Sequence, residues 1–247
     1  MDILKFRKVV DSIRDPDASF VVKLAYLTGA RANELCHRGF PSHEVLRPRT
    51  GNVKRVKEGR APLPLHPRTR AVGPMKSDVS YDVYETPNDN FAKDLGRIQV
   101  LKIRMVVLKR KAKNMFILTK AIPLDDRFEP WGVGVNDHIS TLSEDAPLVP
   151  MHSVALNKLY HEYGFYEMVK AETLEEQVDN PLRHIRYTHL VDYYGFDPWQ
   201  APLFMGHKLE TAMSGSGGPA DAYAALAWRR YFPALLKPLP RPISIIA

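Results

Sequence analysis

Arginine and lysine are the residues of this 247-residue chain whose number and placement most directly suggest chemistry. Residues 36–76 hold ten of them (Arg38, Arg47, Arg49, Lys54, Arg55, Lys57, Arg60, Arg68, Arg70 and Lys76) against Glu44 and Glu58. That segment carries a net +8 in a chain whose total is +7. Residues 99–124 add seven Lys/Arg and no Asp or Glu. Each phosphate that such a segment neutralises releases condensed counterions, so two separate basic runs point to nucleic acid. A single run would read more simply as a solvated face. Four short strings stand beside them: Thr28-Gly29-Ala30-Arg31 leading to Glu34-Leu35; Asn180-Pro181-Leu182-Arg183-His184 leading to Thr188-His189-Leu190; Leu203-Phe204-Met205-Gly206-His207-Lys208; and Asp221-Ala222-Tyr223-Ala224-Ala225-Leu226. Taken alone, Arg31 reads as a surface residue with Glu34 as its partner one helical turn on. His184 and His189 read as packing or capping residues.

The elements that must position these strings are mostly helical. Residues 3–14 show amphipathic spacing, and Asp15-Pro16-Asp17 breaks that helix and caps the next. Residues 18–28 are apolar at helical spacing and end at Gly29. With six prolines and no periodicity, residues 36–76 read as an irregular basic excursion, continued by an irregular acidic stretch to 97. Residues 98–111 and 115–124 then alternate apolar and basic positions around a turn at 112–114, which predicts a basic β-hairpin. Residues 127–150 read as loop. Further helices are expected from Ser153, over 182–194 and 199–205, and from about Asp221 to Tyr231, with a glycine-rich insert at 214–220 and a proline-rich tail at 232–247. The expected fold is one mainly α domain over residues 1–247 with a small antiparallel β-sheet.

Composition narrows the class. The 45% hydrophobic and 26% charged residues are those of a globular protein. No apolar run has the length of a membrane span, and the N-terminus lacks the apolar stretch of a signal peptide. A single cysteine, Cys36, allows neither an internal disulfide nor a cysteine-based zinc site and fits an intracellular home. None of the nine histidines has metal-ligand spacing, so neither metal nor cofactor is expected.

In their order and spacing, the four strings resemble the tyrosine recombinase (integrase) family. There a first arginine lies in T-G-x-R-x-x-E-L and a second in H-x-L-R-H-x-x-x-T-H-L, followed by a G-H pair and a tyrosine. The resemblance spans roughly residues 3–232 and implies the catalytic-domain fold of that family. It also implies DNA strand breaking and rejoining through a 3′-phosphotyrosyl link, on double-stranded DNA, by a homo-oligomer (a tetramer) on paired sites. The implied catalytic residues are Arg31, Arg183, His207 and the nucleophile Tyr223, with Glu34 and Asn180 in support. Guanidinium forks at Arg31 and Arg183 would stabilise charge on the scissile phosphate bidentately. A lysine of the hairpin would protonate the leaving 5′-oxygen; Lys111 is the first choice, Lys113 the second and Lys109 the third. Lys54, Arg55, Lys57, Arg60, Lys109 and Arg110 are expected to contact the DNA backbone.

The chain departs from the family pattern in three ways. Asn180 stands where the second box usually starts with histidine, and asparagine carries no proton. Tyr223 lies sixteen residues after His207 where nine are usual, and deleting residues 214–220 restores nine. About thirty residues precede Arg31, too few for the family's N-terminal core-binding domain. Two alternatives stay open: a type IB topoisomerase-like relaxing enzyme, and a DNA-binding protein of this fold that has lost its chemistry.

Overall fold

The computed structural model describes residues 2–36, 57–59, 73–85, 96–107, 116–173, 178–206 and 228–237. Helix α1 (Ile3–Asp11) starts at Asp2, whose carboxylate accepts from the amides of Leu4 and Lys5. Asp15 does the same for α2 (Pro16–Thr28), with Pro16 in the first turn. Helix α2 is apolar nearly all round, and from Phe20 to Thr28 only Lys23 is not buried, so it runs through the core. It ends at Gly29 in the left-handed region, and the four-residue helix α3 (Ala32–Leu35) follows.

A three-stranded antiparallel sheet comes next: β1 (Val79–Glu85), β2 (Arg97–Val107) and β3 (Phe116–Pro123), in the order β1-β2-β3. Strand β2 separates two cores. Leu101, Ile103 and Met105 join the cluster built on α1, α2 and α3, whereas Ile98 and Val100 join a C-terminal cluster with Phe204, Trp228 and Phe232. Both faces of the sheet are therefore used, each over part of its length.

The helices that follow are α4 (Gly132–Thr141), α5 (Ser153–Glu162), α6 (Phe165–Thr173), α7 (Pro181–Asp192), α8 (Gln200–Met205) and α9 (Trp228–Leu235). The mainly α character and the small antiparallel sheet expected from the sequence are observed. Three local expectations are corrected. Residues 77–97 are not wholly irregular, because 79–85 form β1; its acids meet the bases of β2 in Lys102–Asp82 and Arg97–Glu85 ion pairs. Residues 127–150 contain α4, which buries Val135 and Ile139 one turn apart. The tail does not begin at 232, since Phe232, Leu235 and Leu236 are buried in the chain's own C-terminal core. His152 caps α5, its Nδ1 accepting from Val154 N.

Candidate functional site

Arg31 is placed by the abrupt end of α2. Gly29 has φ +58°, and a Cβ there would lie 2.9 Å from Met205 Sδ, so both backbone and space require glycine. Thr28 Oγ1 donates to Leu24 O and accepts from Ala30 N, which steadies the turn. Arg31 then caps α3, and Glu34 reaches back to it twice. Glu34 Oε2 accepts from Arg31 N at 3.0 Å and Oε1 from Arg31 Nη1 at 2.8 Å. The Arg31 side chain remains about one-third exposed.

Arg183 reaches the same place from the first turn of α7. Its Nη1 donates to Gly29 O at 2.7 Å and its Nη2 to Met205 O at 2.6 Å, the carbonyls where α2 and α8 end. Helix C-termini present unpaired carbonyls with partial negative charge, which a buried cation satisfies. Arg183 Nη1 also lies 4.0 Å from Glu34 Oε2. Burial, and then the charge of Arg31, pull the Arg183 guanidinium down to about 10 against the opposing effect of Glu34. It stays charged at neutral pH.

Asn180 joins the two arginine strings directly. Its Oδ1 accepts from Ala32 N at 3.0 Å, across 148 residues, capping the first amide of α3. It is the one non-glycine residue with positive φ (58°) among the described residues, a conformation that asparagine tolerates better than most. Asn180 thus has a structural duty that the sequence did not disclose.

Sequence reasoning also missed Lys120. It is only 3% exposed and sits in β3 opposite Ile103, between Leu118 and Ile122 on the same face of the strand. Its Nζ donates to Phe204 O and lies 4.3 Å from the centre of the Phe204 ring. Burial, reinforced by Arg183, Arg186 and Arg31 and opposed by Glu34, holds the amine well below the usual lysine range. The signal for it was in the sequence. In the alternation of 118, 120 and 122, a lysine occupies a position the pattern reserves for apolar residues.

Compared with protein-family models, curated proteins and solved structures, the chain matches none. The site is therefore read from its own residues.

Of the expected site residues, Arg31, Glu34, Asn180 and Arg183 are brought together. Lys57 is described and exposed. Lys54, Arg55, Arg60, Lys109, Arg110, Lys111, Lys113, His207 and Tyr223 lie outside the described residues. Tyr231, the other C-terminal tyrosine near the basic Arg229-Arg230 pair, is fully buried. Its hydroxyl donates to Thr119 O and accepts from Ala121 N, and burial raises its pKa strongly. It is a packing residue. Among the described residues no cluster of three or more His, Cys, Asp or Glu side chains could hold a metal ion. No described helix is long and apolar enough to cross a membrane.

One turn along α7 from Arg183, Arg186 is buried against Glu129 in an ion pair. Its guanidinium lies 4.8 and 4.9 Å from the rings of Tyr26 and Tyr194, and its Nη1 donates to Tyr194 Oη. Behind it, Tyr26 Oη shares a hydrogen bond with His189 Nδ1 at 2.9 Å. This network forms the floor beneath the site.

Proposed function

We propose that this chain breaks and rejoins double-stranded DNA as a tyrosine-type site-specific recombinase, working as an oligomer on paired sites. The observation that carries the reading is the meeting of Arg31 and Arg183 around the shared Glu34, from strings 152 residues apart. Two guanidinium groups beside one carboxylate leave an excess of positive charge, which suits the oxygens of a phosphodiester. Arg183 spends two N–H groups on carbonyls and has five in all, so donors remain for a phosphate. In the proposed reaction Tyr223 Oη attacks the scissile phosphorus while the bond to the 5′-oxygen breaks. The phenolic proton passes toward His207, and the leaving oxygen takes a proton from a hairpin lysine, Lys111 first. Attack by a 5′-hydroxyl on the phosphotyrosine reverses the step and frees the tyrosine, so rejoining needs no external energy source.

The test is a suicide substrate, nicked so that the cleaved end diffuses away. The parent protein should form a covalent protein–DNA adduct, and Tyr223→Phe should form none while binding DNA as before. An adduct that persists in Tyr223→Phe overturns the assignment of the nucleophile. A second reading, a DNA-binding protein of this fold without chemistry, is favoured by the commitment of Arg183 to two backbone carbonyls and by Asn180 at the second string. Binding with no adduct from the parent decides for it.

A further inference from the structure

Helix α8 is only six residues long, contains Pro202, and is followed at once by Gly206 in the left-handed region. A helix this short has little stability of its own, and its last carbonyls have no partner within it. Gly206 N bonds back to Leu203 O and Pro202 O, which leaves Phe204 O and Met205 O to be satisfied from elsewhere. Lys120 Nζ takes the first and Arg183 Nη2 the second. The two donors come from different elements, β3 and α7, and grip adjacent carbonyls immediately before the Gly206-His207 pair.

We infer that Lys120 is a positioning residue of this site, fixing with Arg183 the end of α8 and hence the point from which the chain departs toward His207. The inference rests on the proposed reaction for its catalytic consequence, though not for the clamp itself. Lys120 differs in duty from the lysines of the hairpin turn, because its amine is sealed in the core and spent on a backbone carbonyl. An amine donates to that carbonyl whether charged or neutral, so the clamp tolerates the depressed basicity that burial beside Arg183 and Arg31 imposes. The ring of Phe204 packs over the same amine, so a single residue of α8 meets Lys120 through both backbone and side chain. Methionine has the length of the lysine stem and lacks the donor, which makes Lys120→Met the informative change.

With Lys120→Met, single-turnover cleavage of the suicide substrate should fall about 10- to 100-fold, the scale on which misplacement by about an ångström is felt. DNA affinity at fixed salt should stay within about threefold, because Lys120 is sealed from the ligand. Amide exchange in peptides covering 200–206 should accelerate. Val135→Ala in α4 serves as the control: a core truncation remote from α8, it should lower the melting temperature and leave cleavage within about twofold. Unchanged cleavage, a parallel loss of affinity, or an equal loss in Val135→Ala overturns the inference. If Lys120→Met does not fold, Lys120→Leu, which also lacks the donor, replaces it under the same readouts. Should the parent form no adduct, the recombinase reading fails by itself, and exchange over 200–206 still decides the clamp: unchanged protection overturns it.

Discussion

Arg183 and Arg186 stand three residues apart on α7, both buried, and the environments around them have opposite logic. Burial works against the Arg186 charge, yet Glu129, Tyr194 and Tyr26 outweigh it and hold that guanidinium well above the usual arginine range. For Arg183 burial and Arg31 win over Glu34, and the group is pulled down to about 10. One arginine is matched by its own carboxylate and closed in by aromatic rings. The other shares a carboxylate with a second arginine and, among the described residues, otherwise donates to the backbone carbonyls of Gly29 and Met205. A buried charge with its own carboxylate contributes to the scaffold, whereas one that shares its carboxylate holds energy that an incoming anion can release. The two sites should therefore fail in different ways on mutation.

The largest effect is expected at the matched pair. Arg186→Met strands the Glu129 carboxylate in the core and should cost about 3–5 kcal/mol in urea unfolding. A loss below about 1 kcal/mol would mean that the pair is not part of the scaffold. At the under-matched pair the effect should appear in the chemistry. Arg31→Lys keeps the charge and loses the fork, and should slow covalent adduct formation about a hundredfold, with the urea midpoint almost unmoved because Arg31 is partly exposed. If instead stability falls and the cleavage rate per folded molecule does not, Arg31 belongs with Arg186.

The smallest effect is a pH slope. Lys120 binds its proton less tightly in the folded chain than in the unfolded one, whose value is near 10.5. Between the lowered folded value and 10.5 the unfolded chain therefore holds more protons, and stability rises with pH through that window. Compared between pH 7 and 9, the parent should gain melting temperature relative to Lys120→Met. Parallel curves would show that the amine does not titrate there, and the under-matched charge would rest on the arginines alone.

Much of this contrast was legible in the sequence and some was not, for physical reasons. Helix α2 was readable because nearly every position is apolar and Gly29 ends it, and the two arginine strings were readable because their residue types and spacings are unusual. Strand β1 was not, since its acids look like solvated loop until the basic strand β2 is set beside it. Helix α4 was hidden by Gly132 and Gly134, poor helix formers. Gly132 is required because a Cβ there would lie 2.3 Å from Pro123 O. Lys120 was hard to read because several lysines crowd the same hairpin, and what sets it apart is an inward position in the strand. The bond from Asn180 to Ala32 has no local signature at all, being a contact across 148 residues that only folding brings together.

That last bond also sets a clock. On a ribosome adding about 5–20 residues per second, the 148 residues from Ala32 to Asn180 take roughly 7–30 s to synthesise. Until Asn180 has emerged, α3 lacks the group that caps its first amide, and four residues do not hold a helical turn unaided. The basic runs at 36–76 and 99–124 are made earlier, while the two arginine strings are still apart. Translation itself thus delays the joining of the two arginine strings until the chain has grown past Asn180.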